Sequence, residues 1–190
     1  MNTILALVGS LRQDSINKRL AKALEVLGAD RFRFVYADLG ALPHYNDDCW
    51  ANPPAAVTAF KAQIRQADGI LLITPEYFRA PAGLLLNALA WGGRPYGDSA
   101  WVGKPVATVG TSPGAIGTAA AQSHLRAILP TLDMHLMGQP EVYFQTKPGL
   151  IDAQFQVTDE QTRAFLDNWV NRFDQFVSLM TARDEKAIAA

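Results

Sequence analysis

The chain has 190 residues, 49% of them apolar and 18% charged, enough to bury the core of one globular domain. Seventeen basic and eighteen acidic side chains leave a net charge of -1 with no like-charge block, which argues against nucleic acid or an anionic membrane as a partner. The single cysteine, Cys49, excludes an intrachain disulfide and a thiolate metal cluster, and suits a reducing compartment. No run of about 18 apolar residues offers a membrane span. The apolar run Ile4 to Val8 is too short for a signal-peptide core, so the chain is expected in the cytoplasm.

Apolar runs of strand length alternate with helical patterns, the mark of an α/β protein with a parallel sheet. A first strand is predicted over about Thr3 to Val8. A helix from near Ser15 follows, with Ile16, Leu20 and Leu24 on one stripe and Gly28 at its end. "RFRFVYA" is a second strand, in which Phe32, Phe34 and Tyr36 alternate with Arg31, Arg33 and Val35. A long loop, "LGALPHYNDDCWANPPAAV", leads into a helix near Pro54 to Ala67.

The third strand, Gly69 to Thr74, is apolar throughout, as befits burial on both faces. After "PEYFRAP" comes a short helix, "AGLLLNALAW". The fourth strand is Pro105 to Gly110, followed by "TSPGAIG" and a helix to about Leu132 that Pro130 should kink or end. A fifth strand falls near "MHLMG" or "EVYF". Thr158 and Gln161 read as a capping box for a terminal helix carrying Phe165, Trp169, Phe173, Phe176 and Met180 on one face. The tail after Arg183 is expected to fray, and residues 1–190 are expected to form one domain.

Five strands with intervening helices imply a three-layer sandwich with a five-stranded parallel sheet in the order 2-1-3-4-5. Ligands of such sheets bind outside the C-terminal ends of the strands, where the order reverses. Strands 1, 3 and 4 are neighbours in that order, so "GSLRQDS", "PEYFRAP" and "TSPGAIG" should meet.

The first of these loops opens a helix, whose free N–H groups favour an anion. Ser10 and Ser15 add hydroxyl donors, Asn17 an amide, and Arg12 a guanidinium able to grip two oxygens. This chemistry fits a terminal phosphate better than an internal pyrophosphate. Neither G-x-x-x-x-G-K-[ST] nor G-x-G-x-x-G is present. The plainer alternative makes Ser15 an N-cap and Arg12 a surface residue.

"GSLRQDSINKRLA", "ITPEYFRAPAGLLLNALAW" and "KPVATVGTSPGAIG" resemble, in order and spacing, the NADPH-dependent FMN reductases, a flavodoxin-like family that includes chromate, quinone and azo-dye reductases. "LPHYNDD" and "GQPEVYF" fall where the family has similar segments, so the likeness runs from about Ile4 to Tyr143. The resemblance implies an FMN phosphate held by Ser10, Arg12, Ser15 and Asn17. It implies an isoalloxazine edge resting on Pro75, Glu76, Tyr77 and Phe78, with further ring contacts from the loop of Ser112 and Gly114. Backbone N–H groups of the second loop would stabilise negative charge developing on the flavin, and Tyr77 would supply an aromatic wall. NADPH or NADH is the implied co-substrate, a small molecule the electron acceptor, and a homodimer or homotetramer the implied assembly.

The chain departs from the family's usual pattern at three places. Phe78 stands where Pro-Glu-Tyr-Asn is usual, and Leu86 and Ala90 stand where Lys and Asp are common. The last two lie four apart, so one helix face has become apolar, which points to altered subunit packing. Glu141 resembles a position associated with assembly. Trp91 and Trp101 flank "GGRPYGDSA", a loop able to line a mouth. His44, His124 and His135 show no metal-ligand spacing.

No side-chain nucleophile or base is required, because the cofactor would carry the chemistry. A nicotinamide must bring its C4 to about 3–3.5 Å from the flavin N5 and then leave, and an acceptor takes the same space. Ping-pong kinetics are therefore expected. Two other readings compete: a flavodoxin-like electron carrier, and a relative that has lost flavin and acts as a binding protein. The near-neutral charge argues against the first, and Phe78 keeps the second open.

Overall fold

The computed structural model describes residues 1–188, with side-chain surroundings as far as residue 182. The expected alternation is present, in the order β1 (Asn2–Val8), α1 (Ile16–Leu27), β2 (Phe32–Tyr36), α2 (Ala55–Gln66) and β3 (Gly69–Ile73). A hairpin of β4 (Glu76–Tyr77) and β5 (Ala80–Pro81) precedes α3 (Gly83–Gly93) and β6 (Pro105–Ser112). The chain continues through α4 (Ala119–Ile128), β7 (His135–Leu136), β8 (Val142–Gln145) and α5 (Glu160–Ile188).

The main sheet is parallel and runs β2-β1-β3-β6-β7, which is the expected order once the hairpin strands are numbered. Both candidates for the fifth strand are used. β7 pairs with Pro105 and Val106 at the start of β6, and β8 pairs with Val109 to Ser112 at its end. Two short strands thus share one edge position.

Side chains of β1 alternate between the two faces. Ile4 and Ala6 join α1 and α5 in one core layer, with Leu20, Leu24, Trp169 and Phe173. Leu5 and Leu7 face α2, α3 and α4, with Phe60, Ile64, Leu85 and Leu125. Helices on both faces explain why β3 is buried at every position.

Several local expectations change. Pro130 ends the α-helix as expected, and the change is in how: α4 tightens after Ile128 into a 3-10 turn over Leu129–Leu132. The cap of α5 is Asp159 rather than Thr158, since Asp159 accepts from Thr162 N–H at 2.8 Å. Thr158 instead donates its hydroxyl to the Gly149 carbonyl. Phe165 is 40% exposed, so the α5 stripe is only partly core. Trp91 is fully buried, as ordinary packing would have it, and so is Trp101; their indole N–H groups donate to the carbonyls of Pro43 and Leu89. The predicted fraying after Arg183 falls on side chains outside the described residues.

Candidate active site

Register decides where the loops begin. Val8, Ile73, Val109 and Val142 lie in one row across β1, β3, β6 and β8. The segments that follow β1, β3 and β6 therefore leave the sheet side by side. Backbone bonds seal the junctions: Gly9 N–H donates to Ile73, and Thr74 N–H to Val109. Gly9 permits the approach of the first two loops, because a Cβ there would stand 3.0 Å from Pro75.

A pocket of about 180 Å³ opens between the three loops. Ser10, Arg12, Ser15, Asn17, Pro75, Glu76, Tyr77 and Ser112 line it, eight of the ten residues singled out in the sequence. Phe78 and Gly114 do not. Ile16, Thr111 and Pro113 complete the wall. They carried little chemical signal in the sequence, although Thr111 and Pro113 flank Ser112.

The polar residues divide into those already engaged and those left open. Asn17 is engaged. Its Nδ2 donates to the Thr111 carbonyl and its Oδ1 accepts from the Thr111 N–H, both at 3.0 Å. The amide thus clamps the end of β6 to α1 in a buried setting, leaving only its second Nδ2 hydrogen for a ligand. Ser15 is the N-cap of α1 as the plainer alternative holds, accepting from Lys18 N–H at a long 3.4 Å. Its hydroxyl proton stays available as a donor. Ser112 donates its hydroxyl to the Gly114 carbonyl at 3.0 Å, within its own loop.

Ser10 and Arg12 are the open ones. Ser10 is 7% exposed, and among the described residues its hydroxyl has no hydrogen-bond partner. Arg12 is exposed and makes no ion pair or hydrogen bond among the described residues. An unpartnered hydroxyl on a mostly buried serine and an unpaired guanidinium lie beside the first turn of α1, whose N–H groups apart from that of Lys18 lack a helical partner. This donor set suits a dianionic phosphate.

The second loop is a tight hairpin. Glu76 pairs with Pro81 and Tyr77 with Ala80, while Phe78 and Arg79 take the turn with φ of 53° and 66°. Such turns favour Asn and Gly; a bulky side chain in this region costs about 1–2 kcal/mol. Phe78 therefore does not cover the pocket. It stands at the hairpin tip, 102% exposed.

The Glu76 side chain also turns from the expected direction. Its carboxylate is 7% exposed, pairs with Arg79 at 2.8 Å and accepts from Ala121 N–H of α4 at 3.1 Å. Burial by itself would raise the carboxyl's pKa, but the bonds from Ala121, Arg79 and the Ala120 N–H outweigh it and hold it below the usual 4.5. Glu76 thus presents its backbone to the pocket and its charge to α4. Asn17 ties the first loop to the third, and Glu76 ties the second to the helix that follows the third. These two ties hold the three loops together.

A family model for NADPH-dependent FMN reductases matches residues 2–149. A 2-hydroxy-1,4-benzoquinone reductase from Burkholderia sp is 48% identical over 174 residues, covering 92% of this chain and 95% of that protein. A quinone reductase from Pseudomonas putida is 41% identical over 181 residues, covering 95% and 97%. Among solved structures, FerB, a flavoenzyme NAD(P)H:(acceptor) oxidoreductase from Paracoccus denitrificans, superposes with a TM-score of 0.93 at 43% identity. That superposition covers 95% of this chain and 99% of FerB.

The fold and the comparisons together define a flavodoxin-like flavin oxidoreductase. The chain belongs to the NADPH-dependent FMN reductase family: it is an enzyme with FMN as cofactor and NAD(P)H as co-substrate. No helix among the described residues is long and apolar enough to cross a membrane, and no cluster of His, Cys, Asp or Glu there is fit to hold a metal.

Proposed function

We propose that FMN binds in the three-loop pocket and that the enzyme reduces quinones at the expense of NAD(P)H. Azo compounds, chromate and free flavin are further acceptors of the same class. The observation that carries the assignment is the orphan hydroxyl of buried Ser10 beside the unpaired Arg12 at the start of α1. Ser10, Arg12 and Ser15 hold the phosphate. Asn17 acts mainly by keeping Thr111 and the third loop against α1, with its remaining N–H turned to the ligand.

Bound FMN supplies the redox chemistry, taking a hydride from NAD(P)H and passing two electrons to the acceptor. The protein contributes position and field. Pro75 to Tyr77 offer backbone polar groups and an aromatic wall to the ring edge. The pocket would take the phosphate and sugar chain. Donor and acceptor would use the same site in turn, which gives ping-pong kinetics.

The whole chain acts as one FMN-binding domain and works in the cytoplasm, a reading supported by its free Cys49. It assembles as a homodimer or homotetramer. Leu86, 38% exposed on the outer side of α3, and the half-buried Ala90 support this. Titrating apoprotein with FMN and FAD, and following NAD(P)H oxidation with benzoquinone, tests the assignment. FMN should bind more tightly than FAD and confer quinone-dependent turnover. Equal or tighter FAD binding, or no turnover with FMN bound, would sink it.

A further inference from the structure

Two hollows adjoin the flavin pocket, one on each side of α1. The hollow towards β2, about 260 Å³, shares Ser10 with the pocket and carries Lys18 and Lys22. Its charge is balanced: Asp38 stands in its wall, and Lys22 pairs with Glu25 at 2.7 Å. The hollow towards β8 is larger, about 420 Å³, and shares Ile16 and Pro113 with the pocket. Arg19, Thr146 and Lys147 are its polar side chains, and no carboxylate lines it.

Arg19 follows Ile16 by one turn on the same face of α1, about 4.5 Å along the axis. Its Nη2 donates to the carbonyls of Ile151 and Asp152, which fixes the guanidinium without neutralising it. The Asp152 carboxylate accepts instead from the N–H groups of Gln154 and Gln156. Lys147 is exposed and acts on Asp159 through charge, while that carboxylate accepts from the N–H and hydroxyl of Thr162. Thr146 gives its N–H to the Ser112 carbonyl, and its hydroxyl has no partner among the described residues.

We infer that this hollow takes the 2′-phosphate of NADPH, held by Arg19 and Lys147 with the Thr146 hydroxyl as a further donor. The inference rests on the NAD(P)H-driven reaction of the preceding section and says which end of that co-substrate the chain grips. NADPH and NADH differ only by a phosphate monoester remote from the reacting carbon. A site that tells them apart needs uncompensated cations away from the reacting ring, yet continuous with the flavin pocket. The β8 hollow meets both conditions. In the β2 hollow Asp38 would oppose the same dianion. The larger volume also leaves room for the sugar that bears the phosphate.

The FMN-bound protein tests the site, comparing wild type with Lys147→Glu and Lys147→Arg. Lys147 is exposed, so neither change should disturb the fold. With benzoquinone as acceptor, wild type should use NADPH better than NADH. In Lys147→Glu the KM for NADPH should rise at least about tenfold with kcat unchanged, the pattern of a binding contact remote from the chemistry. NADH kinetics should move by less than about twofold, and Lys147→Arg should keep the wild-type preference. Calorimetry without turnover gives a second readout. Adenosine 2′,5′-bisphosphate should bind wild type at least about tenfold more tightly than 5′-ADP, an advantage lost in Lys147→Glu. Equal use of the two nucleotides by wild type, or an unchanged ratio in Lys147→Glu, overturns the site while NAD(P)H-driven reduction stands. Inorganic phosphate binding as tightly as the bisphosphate would make the hollow a general anion site and overturn it too. If wild type oxidises neither nucleotide, the reaction and the site fall together.

Discussion

The Glu76 carboxylate accepts a hydrogen bond from the Ala121 N–H at 3.1 Å, so a residue of the second loop caps the helix that follows the third. The helix's own N-cap residue, Thr118, provides no side-chain cap and sits in left-handed backbone at φ 71°. A carboxylate at a helix N-terminus satisfies a free donor and meets the positive end of the helix dipole.

Removing that cap should cost about 1–2 kcal/mol in Glu76→Ala. The effect should depend on pH with a defined sign. The folded-state pKa is depressed, so the unfolded chain binds the proton more readily. The stabilisation is complete above the ordinary carboxyl value of 4.5 and is lost as pH falls through the depressed one. Urea unfolding of wild type and Glu76→Gln should therefore converge as the solution is acidified through this window. A gap that stays constant would refute the charge argument.

Arg12→Ala should weaken FMN by roughly one to two decades, the worth of one charge-assisted hydrogen-bond partner. Riboflavin, lacking the phosphate, should bind variant and wild type alike. Because Arg12 has no partner among the described residues, the unfolding midpoint should move by less than about 0.5 kcal/mol equivalent. Calorimetric titration with both ligands separates the outcomes. An equal loss for both would refute the phosphate role.

Asn17→Ala should behave in the opposite way. It strands the N–H and carbonyl of buried Thr111, at a cost of about 2–3 kcal/mol. Chemical denaturation without any flavin should show the loss. An unchanged stability would mean that the clamp contributes nothing.

Two glycines of the third loop region should differ sharply. A Cβ at Gly110 would run into Thr118 Oγ1 and the Thr74 carbonyl, whereas at Gly114 it would meet only Ser112 Oγ at 3.7 Å. Gly110→Ala should cost about 1–3 kcal/mol or more and lower FMN affinity by disturbing the junction. Gly114→Ala should stay within about 0.5 kcal/mol. Thermal unfolding of the pair checks both.

Much of this molecule was legible in its sequence. Alternation on β1 and the unbroken apolar run of β3 identify a sheet covered on both faces, because side-chain period reports burial directly. Strand order then brought the loops of Ser10, Pro75 and Ser112 together. The capping of α5 was off by one residue, since Thr158 and Asp159 are both competent caps and only the path of the chain chooses between them. The choice between "MHLMG" and "EVYF" dissolved for a similar reason: β6 is long enough to pair with both.

What composition and spacing determined, then, is the fold, the converging loops and the kinds of group each loop could offer. What only the tertiary structure decided is where those groups point. Asn17 had the chemistry of a phosphate donor and is held by Thr111, while Glu76 had that of a flavin-edge residue and caps α4. Phe78 stood in the segment implied to support the flavin edge and stands clear of the pocket. Periodicity records which side of an element is buried. The partner that a polar side chain finds depends on how elements 45 or 94 residues apart in the chain pack against one another, which only the tertiary structure sets.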